Sequence, residues 1–477
     1  MTHLALARLI LRTISPLSIG SGQAETESDV CLLRDANGLP AIPGTALAGI
    51  LRSVVSAEYG PETASRLFGR DDNQKSGNAD DAPDCSRVAI SWGHLLDKAG
   101  KPIEGLVLDH SRFVDDDIIA ALRDSQPVKR DHNRLNALGT ADDGGKFDRG
   151  AVPAGARFMV QVECRDARSS PLAFDALLEC FGSPLFRLGG ATRRGYGGVA
   201  VEEAWTAKLD LTDKKDFAAL AVVRRGLGES LPEQFKAIAI APRTGDLTLD
   251  LVLQPVDFWL IGDAGGDPIG ATAGKKPPDT VPYRERQLTA TGLGATAVVV
   301  PATGIKGPLR HRTAFHLRRL NGTYVEPGWN VADDVEPPEL AKLFGAAKGT
   351  TDSQTGKVGK GSAGKLLLSD GHLYGAPVPK EIVHNSIDRF TGGVRHGFLF
   401  TEEVLYGGAI KFSITLDRRG QAAVPKKTLR AFAMAVEDLM TGRLPIGAAS
   451  AKGHGFCKGR DWSAIQQQLE TWIGGAP

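Results

Sequence analysis

Apolar and polar positions alternate over residues 4–20, and again over residues 247–262, and both runs end on Ile-Gly. Alternation built from leucine and β-branched residues predicts a strand that buries one face. A polar loop follows each run, residues 21–28 in the first case and a longer stretch, 263–282, in the second. The period then changes. Leu47, Ile50, Leu51 and Val54 have helical spacing, and Thr45 and Thr303 stand where an N-cap is expected. Alternation returns over residues 157–162 and 411–416, each time after a turn of small residues, 152–155 and 406–408. Helices are predicted over residues 172–181 and 429–440, around 215–227, and over 462–473, the last as a docking tail. Strands mixed with a few helices, without strict alternation, give an α+β chain with antiparallel sheets.

The same landmarks occur twice in the same order. Residues 43–52 read Pro-Gly-Thr-Ala-Leu-Ala-Gly-Ile-Leu-Arg, and 258 residues later 301–310 read Pro-Ala-Thr-Gly-Ile-Lys-Gly-Pro-Leu-Arg. Leu67-Phe-Gly returns at Leu343, Ser91-Trp-Gly-His-Leu returns as Ser369-Asp-Gly-His-Leu, and the glycine-rich run 189–197 returns at 447–455. So long a period signals duplication of a whole domain, not a solenoid. The expected division is a first domain over 1–205, a linker over 206–245 and a second domain over 246–477 that ends in the tail helix. Residues 348–365, rich in Gly, Lys, Ser and Thr, are expected to be a flexible insertion.

With 57 basic and 56 acidic residues in 477, any polyanion surface has to come from local clustering. The five cysteines contain no CxxC pair, which signals neither a disulfide framework nor a zinc site. A reducing, cytoplasmic setting is the expectation, with no membrane, because no run of about 18 apolar residues occurs.

Candidate chemistry concentrates at three places. The loop that feeds each signature helix exposes backbone N–H groups suited to a phosphate, and Arg52, Arg310 and Lys306 add cations beside it. The glycine-rich loops carry Arg193 and Arg194 in one copy and Lys452 and His454 in the other, where glycine lets the backbone approach a phosphate chain. Read alone, each such loop is equally well a solvated turn; recurrence in both halves favours binding. Polar, cationic stretches at 128–134 with 139–145, and at 383–392 with 397–403, suit exposed hairpins able to wedge between bases, and bring Arg134, His384 and Arg389. No Walker pattern is present, which argues against a nucleoside triphosphatase.

Together these residues resemble the RAMP superfamily, the RNA-binding backbone subunits of type III CRISPR effector complexes. The carrying motifs are Ile-Pro-Gly-Thr-x-Leu-x-Gly-x-Leu-Arg at 42–52, Ile-Asp-Arg-x-Thr-Gly at 387–392 with Glu403 downstream, and the closing glycine-rich loops. The chain is similar to a tandem fusion of two such subunits, as in type III-D and III-E systems. The resemblance implies two RRM-like, ferredoxin-like domains with thumb hairpin insertions. It also implies CRISPR guide RNA, complementary target RNA and other type III effector subunits as partners in an antiviral ribonucleoprotein. In catalytic members one aspartate in the loop after the first strand supports metal-dependent endoribonuclease cleavage of target RNA, with Mg2+ or Mn2+. The resemblance places that role, and the metal, at Asp29. The chemistry suits RNA, whose 2′-hydroxyl is an internal nucleophile that the protein need only align.

The copies depart from one another. Ala48 stands where the second has Lys306, Ala302 replaces the signature glycine, and Gln287 is the ungapped counterpart of Asp29. The longer second loop offers Asp263, Asp267 and Asp279 instead, of which Asp279 is the candidate. A non-catalytic scaffold of the same fold is an alternative, as is a guide-processing endonuclease using His132 or His384 as acid or base. A duplicated metabolic enzyme lacks a nucleophile, metal cluster or cofactor fingerprint.

Overall fold

The computed structural model describes residues 3–22, 30–69, 85–123, 127–136, 139–243, 247–263, 265–270, 276–324, 336–346, 361–418 and 423–474. Two halves share one antiparallel α+β plan. In the first, the strand His3–Thr13 lies between Arg157–Arg165 and Val199–Asp210, with Val88–Ile90 beyond Arg157–Arg165. In the second, Thr248–Pro255 lies between Ala409–Leu416 and Cys457–Gly459, with Leu366–Leu368 and Gly371–Tyr374 beyond Ala409–Leu416. The second half's central strand buries Leu249, Leu251 and Leu253 on one face, as the pattern predicts. His3–Thr13 is instead buried on both faces, Leu9 and Leu11 in the main core and Leu4, Leu6 and Ile10 against the elements covering its other side.

The connection between first and second strand is helical in both halves. Gly44–Tyr59 and Pro61–Phe68 serve the first, and Ala302–Asn321 and Glu339–Phe344 the second. Helices Phe174–Glu179 and Lys426–Met440 stand before the closing strand, and the tail forms a helix over Trp462–Gly474 that packs Ile465, Leu469 and Trp472 into the second core. This is the ferredoxin-like arrangement in two copies. Each copy carries a hairpin. The first pairs Val128–Leu135 with Ala141–Ala151, and the second pairs Val378–His384 with Phe400–Tyr406.

Two local expectations need correction. Neither Thr45 nor Thr303 caps its helix, since both helices begin one residue earlier and follow Pro43 and Pro301 with no side-chain cap. Proline at that position, with φ near −59° and −55°, fixes the entry angle without supplying an acceptor. The segment expected as a linker folds onto the first half instead: Val199–Asp210 runs on through it, Lys214–Val223 packs Leu220 and Val223 on Leu4 and Leu6, and Lys236–Ile238 extends the sheet. The expected insertion lies mostly outside the described residues, although Ser362–Ala363 pairs with Gly345–Ala346.

The halves are joined by a buried ionic cluster. Arg130, on the first hairpin, is 2% exposed; its guanidinium donates to both oxygens of Glu285, at 2.5 and 2.9 Å, and both of Asp370, at 3.1 and 2.8 Å. Burial alone would lower the proton affinity of Arg130, but the Asp370 and Glu285 carboxylates reverse this and hold it well above its ordinary value. Asp370, 1% exposed, also accepts from the backbone N–H of Ala302 at 2.8 Å. Around this cluster the Leu288 N–H donates to the Ala154 carbonyl, and the Leu288 side chain joins the first half's core.

Replacing Arg130 by Met leaves two carboxylates buried without a counter-charge, a loss of about 3–5 kcal/mol by the usual cost of breaking a buried pair. Chemical denaturation monitored by tryptophan fluorescence is expected to show the cooperative transition of the wild type split in two, with the halves unfolding separately.

Candidate nucleic-acid interface

The first half's glycine-rich loop lies on the start of the second half's signature helix. Its short 3-10 turn, Thr192–Arg194, is followed by Gly195 at φ +92°, a conformation that favours glycine. A Cβ there would stand 2.3 Å from Asp370 Oδ1 and 2.8 Å from Ala302 Cβ, so glycine is also required by the close approach. Three arginines cross the junction. Besides Arg130, Arg187 donates to the Leu368 carbonyl at 3.1 Å, and Arg193 donates to the Gly364 carbonyl and to Asp417 Oδ2 at 3.1 Å.

This docking brings four of the sequence candidates together. Lys306, on the second signature helix, donates to the Arg193 carbonyl at 3.1 Å and lies in the field of Arg194, Arg310 and Arg193. Its side chain is partly exposed, but the ammonium end is enclosed; burial first, then these three arginines, push its pKa down to about 7. No carboxylate pairs with it among the described residues. Arg310 is held by Glu336 and by the Gly345 carbonyl at 2.9 Å, and Arg193 by Asp417. Arg194 reaches solvent with its guanidinium 5.6 Å over Phe147. Arg149, from the hairpin, bonds Ser18 Oγ at 3.2 Å, and its pKa is lowered by burial and then by Arg194. The result is a run of positive charge across the junction, richer in cations than in counter-charges.

The expected phosphate position at the second helix start is occupied by a protein carboxylate. Asp370 takes the Ala302 N–H, so the anion cradle is displaced from the helix terminus to the side chains above it. In the first half Arg52 lies half-buried on the signature helix, with no hydrogen bond or ion pair to its guanidinium among the described residues.

Both hairpins repeat one stacked unit, a cross-strand pair within the first ladder and the last pair before the turn in the second. His132 stacks on Phe147 at 4.9 Å, and His384 stacks on Phe400 at 4.9 Å. In the first, His132 Nε2 meets the hydroxyl of buried Tyr196 at 3.1 Å. Burial, then Arg194, Arg130 and Arg149, lower the His132 pKa to about 4, so it is neutral near pH 7 and unsuited to general acid work there. In the second, His384 Nε2 meets Glu402 Oε2 at 2.9 Å, and Lys452 lies 3.2 Å from Glu402 Oε1 and 4.7 Å over Phe400. Lys452 and His384 therefore form a second cluster, separate from the junction. Arg134 is exposed on the first hairpin, and Arg389 is exposed in the turn of the second, beside Phe390, which is 97% exposed.

Asp29 lies outside the described residues. Asp279 is exposed beside the turn end of the second hairpin's ladder, where its Oδ2 accepts from Thr401 N–H at 2.9 Å and its Oδ1 pairs with Lys276 at 3.2 Å. The Thr401 backbone and Lys276 lower its pKa. Among the described residues no group of three His, Cys, Asp or Glu side chains could hold a metal ion, and Asp279 with its oxygens so engaged does not fit one. Glu403 accepts from the Ile269 and Gly270 N–H groups at 2.7 and 2.6 Å and so pins the long loop to the hairpin.

Sequence reasoning missed Arg130, Glu285, Asp370, Arg187 and Asp417, the residues that build the interface. The signal lay in the breaks of the repeat, above all Trp92 against Asp370 within otherwise matching Ser-x-Gly-His-Leu segments.

The RAMP superfamily model matches residues 10–200 and 259–458, one stretch in each half. The chain belongs to the RAMP superfamily, which associates it with RNA binding and with type III CRISPR complexes. No curated protein matches the chain. Among the described residues no helix is long and apolar enough to cross a membrane.

The depressed His132 pKa has a stability consequence. Between pH 6.5 and 4 the unfolded state binds a proton that the folded state refuses, so stability present above 6.5 is lost as the pH falls. Urea titrations at pH 7 and 4.5 are expected to show wild type losing about 2–3 kcal/mol more than His132→Gln over that interval.

Proposed function

We propose that this chain is a CRISPR RNA-binding backbone subunit of a type III effector ribonucleoprotein, with guide phosphates held at the junction of its halves. The observation that carries this reading is Lys306, enclosed among Arg193, Arg194 and Arg310 with no carboxylate partner among the described residues. Such a cluster costs stability while empty, and an RNA phosphate supplies the missing charge. The two hairpins are the natural elements to separate bases, with Phe390 at the turn of the second. Cytoplasmic location and a tandem type III-D or III-E affiliation complete the proposal.

Target cleavage is assigned to the first half, at Asp29 with Mg2+ or Mn2+. In the second half Asp279 is tied to Thr401 and Lys276, which favours a positioning role for it and a non-cleaving second half. The scaffold reading, in which neither half cuts, is the second alternative, and the Asp279 geometry favours it for that half.

Two experiments test these statements. In fluorescence anisotropy with single-stranded guide RNA, affinity is expected to fall on the order of tenfold between pH 7 and 8.5 as Lys306 loses its proton. Lys306→Arg should flatten that dependence, and Lys306→Ala should reduce the salt slope by about 0.7. Equal pH profiles for wild type and Lys306→Arg would remove the junction site. For cleavage, the complex assembled on a defined guide is given labelled target RNA with and without magnesium. Asp29→Ala is expected to lose one discrete product while retaining binding, and Asp279→Ala to cut within about twofold of wild type, the range of a change that leaves transition-state contacts intact. Unchanged products with Asp29→Ala would make the chain a scaffold.

A further inference from the structure

The chain contains one junction between its halves, and the duplication shows what a second would be made of. Strand pairing fixes the correspondence. Ser91 N–H bonds the Gln161 carbonyl as Ser369 N–H bonds that of Ser413, and Arg165 N–H bonds Arg87 as Asp417 N–H bonds Lys365. Trp92 is therefore the counterpart of Asp370, and Arg165 of Asp417. Hairpin register sets His132 opposite Phe147 and His384 opposite Phe400, which makes Ile382 the counterpart of Arg130. Leu188 bonds Gly197 as Ile446 bonds Gly455, which matches Pro445 to Arg187 and Ala451 to Arg193.

Every arginine that crosses the inner junction is thus replaced, on the second half's outer face, by a side chain that cannot donate. Two of the three carboxylates that receive them, Asp370 and Asp417, are replaced on the first half's outer face by an indole and a cation. Trp92 is 46% exposed, and Arg165 is exposed with no ion pair among the described residues. The second half's glycine-rich loop keeps the docking conformation, with Gly453 at φ +92° like Gly195, yet nothing lies within 4 Å of a Cβ placed there.

We propose that the chain is a closed pair whose outer faces reject a second copy of itself. The first half's outer face instead takes a different protein, one that brings an apolar side chain against Trp92 and a carboxylate against Arg165. A second copy seated as the halves are seated on one another would press Ala451 onto Arg165 and leave that charge without a partner, and would offer proline where a carbonyl needs a donor. Selection by an uncompensated charge is a standard route to partner discrimination. This specificity concerns protein contacts and stands independently of RNA binding.

The test uses full-length chains and sedimentation velocity. Wild type is expected to remain a single chain across a concentration series. One variant carries Trp92→Asp with Arg165→Asp, restoring two acidic acceptors, and another carries Ile382→Arg with Ala451→Arg, restoring the two donors that meet them. Mixed together they are expected to double in mass as one-to-one pairs, while neither doubles on mixing with wild type. Wild-type oligomers that Trp92→Asp dissolves would overturn the proposal. So would a mixture of the two variants that stays single-chain.

Discussion

Four hydrogen bonds from one buried guanidinium hold the molecule's working geometry together. Arg130 spans Glu285 and Asp370, and Asp370 in turn holds the first N–H of the second signature helix. Because Asp370 is shared, the position of the first hairpin, the start of the helix and the packing of Gly195 are set together. None of these groups can move alone without exposing or orphaning a charge in a dry environment. The three crossing arginines belong to the first half, and the three carboxylates and most of the accepting carbonyls to the second, so the junction has a direction.

That direction explains why the cations converge. Seating the glycine-rich loop over the helix places Arg194 and the Arg193 backbone beside Lys306 and Arg310, an arrangement that repels itself. Some of the repulsion is answered within the protein by Glu336 and Asp417. The remainder falls on Lys306, whose proton is held weakly. A site that tolerates such strain is a common mark of function, and here an RNA backbone provides the relief. Stability invested in the ionic cluster below supports electrostatic strain in the layer above it.

Much of the fold was legible because the repeat carries it. The signature helices, the first hairpin and the tail helix fall where hydrophobic period and turn residues put them. The central strands stop short of their alternating runs, at Thr13 and Pro255, and the second hairpin's strands flank the polar stretch expected to form it. The helix Ala302–Asn321 even continues through Pro308. The candidate cations were legible one by one, but their assembly was not. Arg193 and Lys306 come from different halves, and only the seating of one half on the other joins them. The residues responsible for that seating are the ones that break the repeat, so a reading based on matched landmarks passes over them. Asp370 shows the difficulty: at a helix start whose N–H groups suggest a phosphate, the chain supplies its own carboxylate from a distant segment.

The central claim is that RNA lies across both halves at their junction. Amide hydrogen exchange with and without bound single-stranded guide RNA tests it directly. The account predicts protection that appears together in residues 189–198 and 301–310, although the two segments belong to different repeats. Protection confined to one half, or to the outer hairpin turn with both junction segments unchanged, would contradict it.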